Sequence, residues 1–305
     1  MPGPPPAGSA WPHRLAMLSA AATCLLILVG GLVTHTGSGL AVPDWPTTFG
    51  HNMFLYPLSR MAGGVLYEHS HRLLGSLVGL LTVATAAAIC LADRRAWLRT
   101  LAILAVGLVM VQGVLGGLRV TLLAQGLAML HGAVAPAFLA LLASLALFTS
   151  PAWQAGGGPA GQGLRPLRWL GLAATAALYL QIGFGVVLTH TGRRLDAHLL
   201  VAGGVSVLVP LLVRGALRGA PGPLGRPARL LCGLWVAQLL LGGLAYVARF
   251  HAAEVPVAPL LGLGAPLAHR LAGALMLAAA AILTLQIHRL SATSAAAPAG
   301  RRVPA

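Results

Sequence analysis

Charge is what this 305-residue sequence has least of: 8% of its residues are charged, and five are acidic. A soluble domain carries about a quarter charged residues to keep its surface wet. A water-facing globular surface is therefore excluded, and most of the exterior must face hydrocarbon. Lysine is missing altogether. All twenty basic residues are Arg, and with the Ala, Gly, Leu and Pro bias this matches the output of a GC-rich genome rather than a function. The net charge of +15 comes with no basic stripe, and aromatics are only 5%, which leaves no stacking platform for nucleic acid. Cysteine is scarce too. Cys24, Cys90 and Cys232 all fall inside apolar runs and make neither a loop disulfide nor a metal-ligand cluster. The first fourteen residues are Pro/Gly-rich and lack the Arg-rich amphipathic stretch of a transit peptide. The apolar run after them has no small-residue cleavage site, so it reads as a retained helix.

Long apolar runs are what the sequence does have. It is 57% hydrophobic with a mean hydropathy of +0.84. Runs near 15–34, 64–91, 100–118, 127–148, 167–189, 196–213, 230–248 and 265–287 each approach the ~20 residues that span a bilayer. Each must be helical, because a lone strand in lipid would leave its backbone unpaired. The expectation is an all-α polytopic membrane protein with eight transmembrane helices, the sixth being the shortest. With the N-terminus inside, the inner segments hold thirteen Arg and the outer loops five, which predicts both termini inside. Segments 1–12 and 291–305 read as disordered tails. The Gly/Pro-rich linker 151–166 divides a four-helix half at 13–150 from another at 167–290.

The halves correspond helix by helix. Thr34-His35-Thr36-Gly37 ends the first span and Thr189-His190-Thr191-Gly192 the fifth, each followed by two residues and a Leu. Gln112 precedes Gly116-Gly117 in the third span as Gln238 precedes Gly242-Gly243 in the seventh. Four spans per half mean that both halves enter from one side, so the repeat is parallel. The paired glycines are read as close-packing positions between helices.

His71, His131, His198 and His269 lie in the first turns of the second, fourth, sixth and eighth spans, all at the predicted outer face. Polar side chains at that depth are costly and usually functional. Zinc would want thiolate or carboxylate ligands that no neighbouring residue supplies. A proton relay would want a chain of carboxylates, and the spans offer Glu68. Haem fits better, since histidines from two facing helices clamp one iron from opposite sides. The natural pairs are His71 with His131 and His198 with His269, one per half. Glu68 lies three residues before His71, on the same helical face, whereas Leu195 holds that offset before His198. A carboxylate there could place water or take a proton; its plainer alternative is an ion pair with Arg72 or Arg60. Arg72 and Arg270 directly follow two of the histidines and are candidates for haem propionates, although Arg residues snorkel at helix ends for ordinary reasons. The first outer loop, about 35–62, carries Asp44-Trp45-Pro46, Phe49, His51 and Tyr56, and its counterpart at 190–196 is short. A long aromatic loop on one half suggests a lid; a Trp resting at the membrane interface is the plain alternative.

Thr36-Gly37-Ser38-Gly39-Leu40, Pro43-Asp44-Trp45-Pro46, Glu68-His69-Ser70-His71-Arg72, Gln112-Gly113 with Gly116-Gly117, and Leu130-His131-Gly132 together resemble the haem A synthase family, over residues about 15–290. The resemblance implies oxidation of the C8 methyl of haem O to a formyl group by successive hydroxylation, for cytochrome aa3-type oxidase biogenesis. It implies haem b as cofactor on His198 and His269, haem O beside His71 and His131, and Glu68 as the functionally important carboxylate. It further implies a bacterial inner membrane, a haem O synthase as partner and an electron donor that the sequence does not identify. Two departures stand out. The cysteine pair common in the family's first loop is absent, and Leu199 follows His198 where an Arg is often seen. The runner-up is a non-enzymatic di-haem electron-transfer protein, which has no use for Glu68 or a one-sided lid. A transporter is a further alternative, and it predicts broken helices at mid-membrane. Whether His69, His35 or His190 replaces one of the four histidines stays open at this point.

Overall fold

The computed structural model describes residues 10–156, 164–251 and 258–296. Among them the chain is helical, with no strand beyond one isolated bridge between Thr48 and His51. The helices are α1 (Trp11–His35), α2 (Gly64–Ala92), α3 (Ala96–Thr121), α4 (Gln125–Thr149), α5 (Pro151–Gln154), α6 (Leu164–Thr191), α7 (Leu195–Gly219), α8 (Pro221–Phe250) and α9 (Pro259–Ala296). All but α5 are long and apolar enough to cross a membrane, which makes eight candidate spans and a multi-pass membrane protein.

Several boundaries differ from the sequence expectation. Trp11 and Pro12 belong to α1 rather than to a tail, because Pro12 suits the first helical turn, where its missing N–H is not needed. At the other end α9 runs on through Ala296, and Leu290 and Ser291 are buried against the bundle. The expected linker 151–166 is shorter than its composition suggests. The Ser150 side chain accepts from the Trp153 N–H to start α5, and the Trp153 ring packs edge-on against Phe148 and under the Arg289 guanidinium, 4.2 Å away. The α7 span has 25 residues, the same as α1 and α4 and fewer than the others, and it is longer than its apolar run because Arg214 and Arg218 lie within its last turns. Residues 1–9, 157–163, 252–257 and 297–305 lie outside the described residues.

Thr-His-Thr-Gly ends α1 and α6 by one device. Gly37 (φ +68°) and Gly192 (φ +70°) take the left-handed conformation that stops a helix, and Thr36 and Thr191 return their hydroxyls to carbonyls one turn back. The helices then pack in two rings. α1, α2, α3 and α4 are neighbours in order, with α4 closing on α1; α6, α7, α8 and α9 do the same, with α9 closing on α6. Each ring has its own apolar cluster, and a small third one of Ile27, Leu139 and Ala274 lies between them. The rings meet through α4 with α9, α1 with α9 and α4 with α6. In lipid there is no hydrophobic gain from helix association, so close packing of small residues must hold such an interface. α9 supplies Ala274 there, buried against Ile27 and Leu139.

Candidate functional site

The four histidines come together in two pairs. The ring centres of His71 and His131 are 6.3 Å apart, and those of His198 and His269 6.4 Å apart, with the planes steeply inclined at 83° and 69°. Each imidazole rests on a glycine of the preceding helix. A Cβ on Gly30 would lie 2.8 Å from His71, on Gly116 3.4 Å from His131, on Gly185 3.2 Å from His198 and on Gly242 3.0 Å from His269. Each of the eight candidate spans thus takes part, four presenting an imidazole and four a bare backbone against which it lies. Gly30 and Gly185 escape a sequence reading because each shows half of the Gln112 pattern: Gly30 pairs with Gly31 but follows Leu26, and Gly185 follows Gln181 but stands alone. The signal that locates them is their common place four residues before Thr34 and Thr189, whose hydroxyls donate to the Gly30 and Gly185 carbonyls.

Glutamines stand one turn before three of these glycines. The Nδ1–H of His131 donates to the Gln112 carbonyl at 3.1 Å, and the Gln112 amide donates back to the His131 carbonyl at 3.2 Å. His269 Nδ1 donates to the Gln238 carbonyl at 3.2 Å. The Gln181 amide lies 3.2 Å from both ring nitrogens of His198. The equivalent residue in α1 is Leu26, and Nδ1 of His71 is buried without a hydrogen-bond partner.

Glu68 and Arg72 do not stand apart as a free carboxylate and a free cation. They form a buried ion pair at 2.8 Å, and Glu68 Oε2 accepts from the Val42 N–H at 2.9 Å. Arg72 also donates to the carbonyls of Val42, Asp44 and Thr47. The guanidinium proposed for a propionate is thus committed to the loop that precedes its helix. Arg119, which sequence reasoning passed over, donates to the Gly39 carbonyl of the same loop. His69 is buried and faces Thr48 at 3.1 Å and the Tyr56 ring, so it belongs to the loop anchor and not to a histidine pair. Trp45 lies on Gly117: a Cβ there would fall inside its indole. That places the loop's aromatic next to the glycine that supports His131. The loop's tip is shaped by Asp44, which accepts from the Phe49 and Gly50 N–H groups and from the Thr47 hydroxyl. Its partial burial pushes the pKa up, but those hydrogen bonds outweigh it and hold the carboxyl at about 2.

Arg270 sits where α9 crosses α1, with its guanidinium 3.5 Å from where a Gly31 side chain would begin. Across the bundle the sizes are exchanged, with Gly132 facing Val186. His35 is exposed at the end of α1, and the His190 carbonyl accepts from Gln125.

Among the described residues no three of His, Cys, Asp and Glu converge as a metal cage. A metal held by either pair would have to bring its remaining donors, as an iron porphyrin does. Nitrogen–metal bonds of about 2 Å, with about 1 Å more from nitrogen to ring centre, separate two coaxial imidazoles by about 6 Å. The spacing of both pairs fits that geometry. Buried polar atoms without partners also gather here: His71 Nδ1 and the Oε1 atoms of Gln112, Gln181 and Gln238. Such orphans call for a guest or a function.

The chain belongs to the COX15-CtaA family, the haem A synthase family, whose model is described as "Cytochrome oxidase assembly protein" and matches residues 13–303. Membership carries involvement in haem A assembly for cytochrome oxidase. No individual curated protein matches the chain.

Proposed function

We propose that this member of the cytochrome oxidase assembly family is a haem A synthase in a bacterial inner membrane, oxidising the C8 methyl of haem O to a formyl group by successive hydroxylation. Two parallel four-helix repeats, with both termini inside, carry one porphyrin each. His198 and His269 hold haem b, and His71 and His131 flank the haem O substrate. The observation that carries this reading is a difference between otherwise matched pairs: among the described residues, only the His71–His131 pair has a buried carboxylate one helical turn away on its own helix and an anchored aromatic loop beside it.

The bound haems supply the redox chemistry that an unactivated C–H bond requires. The chain's residues do the rest. The loop from Ser38 to Tyr56, pinned by Arg72, Arg119 and His69, closes one end of the substrate half to water. Trp45 sets the wall beside His131. Glu68, fixed by Arg72 and Val42, keeps a second lone pair on each oxygen. It accepts a proton or orients water at the reacting carbon. Arg270 serves a propionate from the junction of the halves. Haem O comes from a partner haem O synthase, and electrons come from a separate donor.

The test is co-expression with a haem O synthase, followed by chromatography of the extracted haems. Haem A or a hydroxylated haem O is expected from the native chain, and neither from Glu68→Gln, which preserves size and the acceptor for Val42. Full haem A yield in Glu68→Gln removes the carboxylate's role. Bound haem with no modified porphyrin in the native chain makes the protein a di-haem electron carrier instead.

A further inference from the structure

Three histidines share a support that the fourth lacks. Gln112, Gln181 and Gln238 each lie one helical turn before a cradling glycine and within hydrogen-bond reach of the histidine seated there. Gly30 cradles His71 in the same way, but the residue one turn before it is Leu26, an apolar side chain packed into the N-terminal cluster. His71 Nδ1 is buried with no partner.

An imidazole that donates its Nδ1–H has its tautomer fixed, with the Nε2 lone pair turned to the metal. Its ring orientation is locked and its basicity raised. His131 and His269 both have this arrangement, with a backbone carbonyl as acceptor. Nothing fixes His71 in this way. Its ring has a shape-matched seat on Gly30 but no hydrogen bond to stop it turning on that seat, and its Nε2 is the poorer donor. This deepens the haem reading of the two pairs and rests on it.

We propose that support at the ring sorts the four histidines: the Gln112 and Gln238 carbonyls and the Gln181 amide position firm ligands, and His71, with no partner at Nδ1, is the exchangeable one. The open coordination position then arises in the N-terminal half, on the face of His71, with His131 as the retained ligand. The C-terminal pair, supported on both sides by Gln181 and Gln238, stays closed. Such a division suits the two tasks, because an electron-carrying haem needs no free position, while chemistry at a porphyrin needs one.

Carbon monoxide reads this directly, independently of turnover. The full-length protein, purified with protohaem bound, is reduced and titrated with carbon monoxide while its absorption spectrum is followed. In the native chain one haem reacts and the other does not. Leu26→Gln offers the unpartnered His71 Nδ1 a side-chain acceptor and is expected to weaken carbon monoxide binding about ten-fold, the usual scale for an outer-sphere partner of a metal ligand. Gln112→Leu keeps the backbone carbonyl that holds His131 Nδ1 and is expected to leave carbon monoxide affinity within about two-fold. The unreactive haem keeps its spectrum in each variant and reports that the bundle is intact. A native chain with bound haem that ignores carbon monoxide overturns the assignment of His71, as does equal affinity in the native chain and Leu26→Gln. A chain that takes up no haem at all overturns the haem reading itself, which is a distinguishable failure.

Discussion

The two halves of this bundle are built on the same contacts and furnished differently. In both, a histidine on the second helix faces one on the fourth across 6.3 or 6.4 Å, and each rests on a glycine of the preceding helix. What differs lies around the pairs. In the N-terminal half Glu68, His69 and Arg72 follow one another on α2 and bind the loop before it, while Trp45 fills the space over Gly117. In the C-terminal half Gly243, the counterpart of Gly117, has no described atom within 4 Å of an added Cβ. A shared scaffold thus fixes where the rings stand, and a one-sided set of polar and aromatic contacts decides what else can happen there.

The strongest way to break this comparison is to empty one half at a time. His71→Ala with His131→Ala is expected to remove one haem per chain and leave the other, and His198→Ala with His269→Ala to do the reverse, both read by haem-to-protein stoichiometry. Loss of both haems from either double variant would show that the pairs are not independent sites. A gentler probe places one substitution at equivalent positions. Gly117→Val must displace the Trp45 indole, an overpacking worth about 1–3 kcal/mol. Gly243→Val meets open space and should stay within about 0.5 kcal/mol. Thermal unfolding in detergent separates them, and equal shifts would mean that the loop is not seated on α3. The smallest effect concerns pH. Asp44 has its pKa depressed to about 2, so its contribution to the loop is complete above the ordinary carboxylate range near 4 and is lost as pH falls through about 2. Trp45 fluorescence should therefore change between pH 4 and 2 in the native chain and not in Asp44→Asn.

Much of this was legible in the residues alone, for identifiable reasons. Eight apolar runs announce eight helices because hydrocarbon permits few other structures, and a histidine in the first turns of alternate spans is conspicuous in a chain with so few polar residues. The partnership of Glu68 with Arg72 was visible as a spacing but not as a fact, since an i, i+4 pair reads the same whether it faces lipid, loop or ligand. The cradles of Gly30 and Gly185 were hidden among 39 glycines. Arg119 meets Gly39 across 80 residues of chain, and no local pattern encodes such a bond. Trp45 was noted as an aromatic in a long loop, and its seat on Gly117 depends on how α3 is turned, which periodicity does not reveal. The helix ends were misjudged where Arg stems and a packed Trp153 extend helices beyond their apolar centres.

The anchoring of the loop between α1 and α2 also carries a consequence for biogenesis. Apart from its own Asp44, the loop is made before the helix groups that hold it. Its first clasp, Glu68, His69 and Arg72, arrives with α2; the second, Gly117 and Arg119, arrives only with α3; and His131 follows on α4. During synthesis the segment must therefore wait, partly fastened, until the third helix has been inserted. The wall beside His131 is then in place as that histidine emerges. Chain order doubles as an assembly schedule, and a nascent chain halted after α2 would present this loop to whatever factor attends membrane insertion, with Trp45 still uncovered.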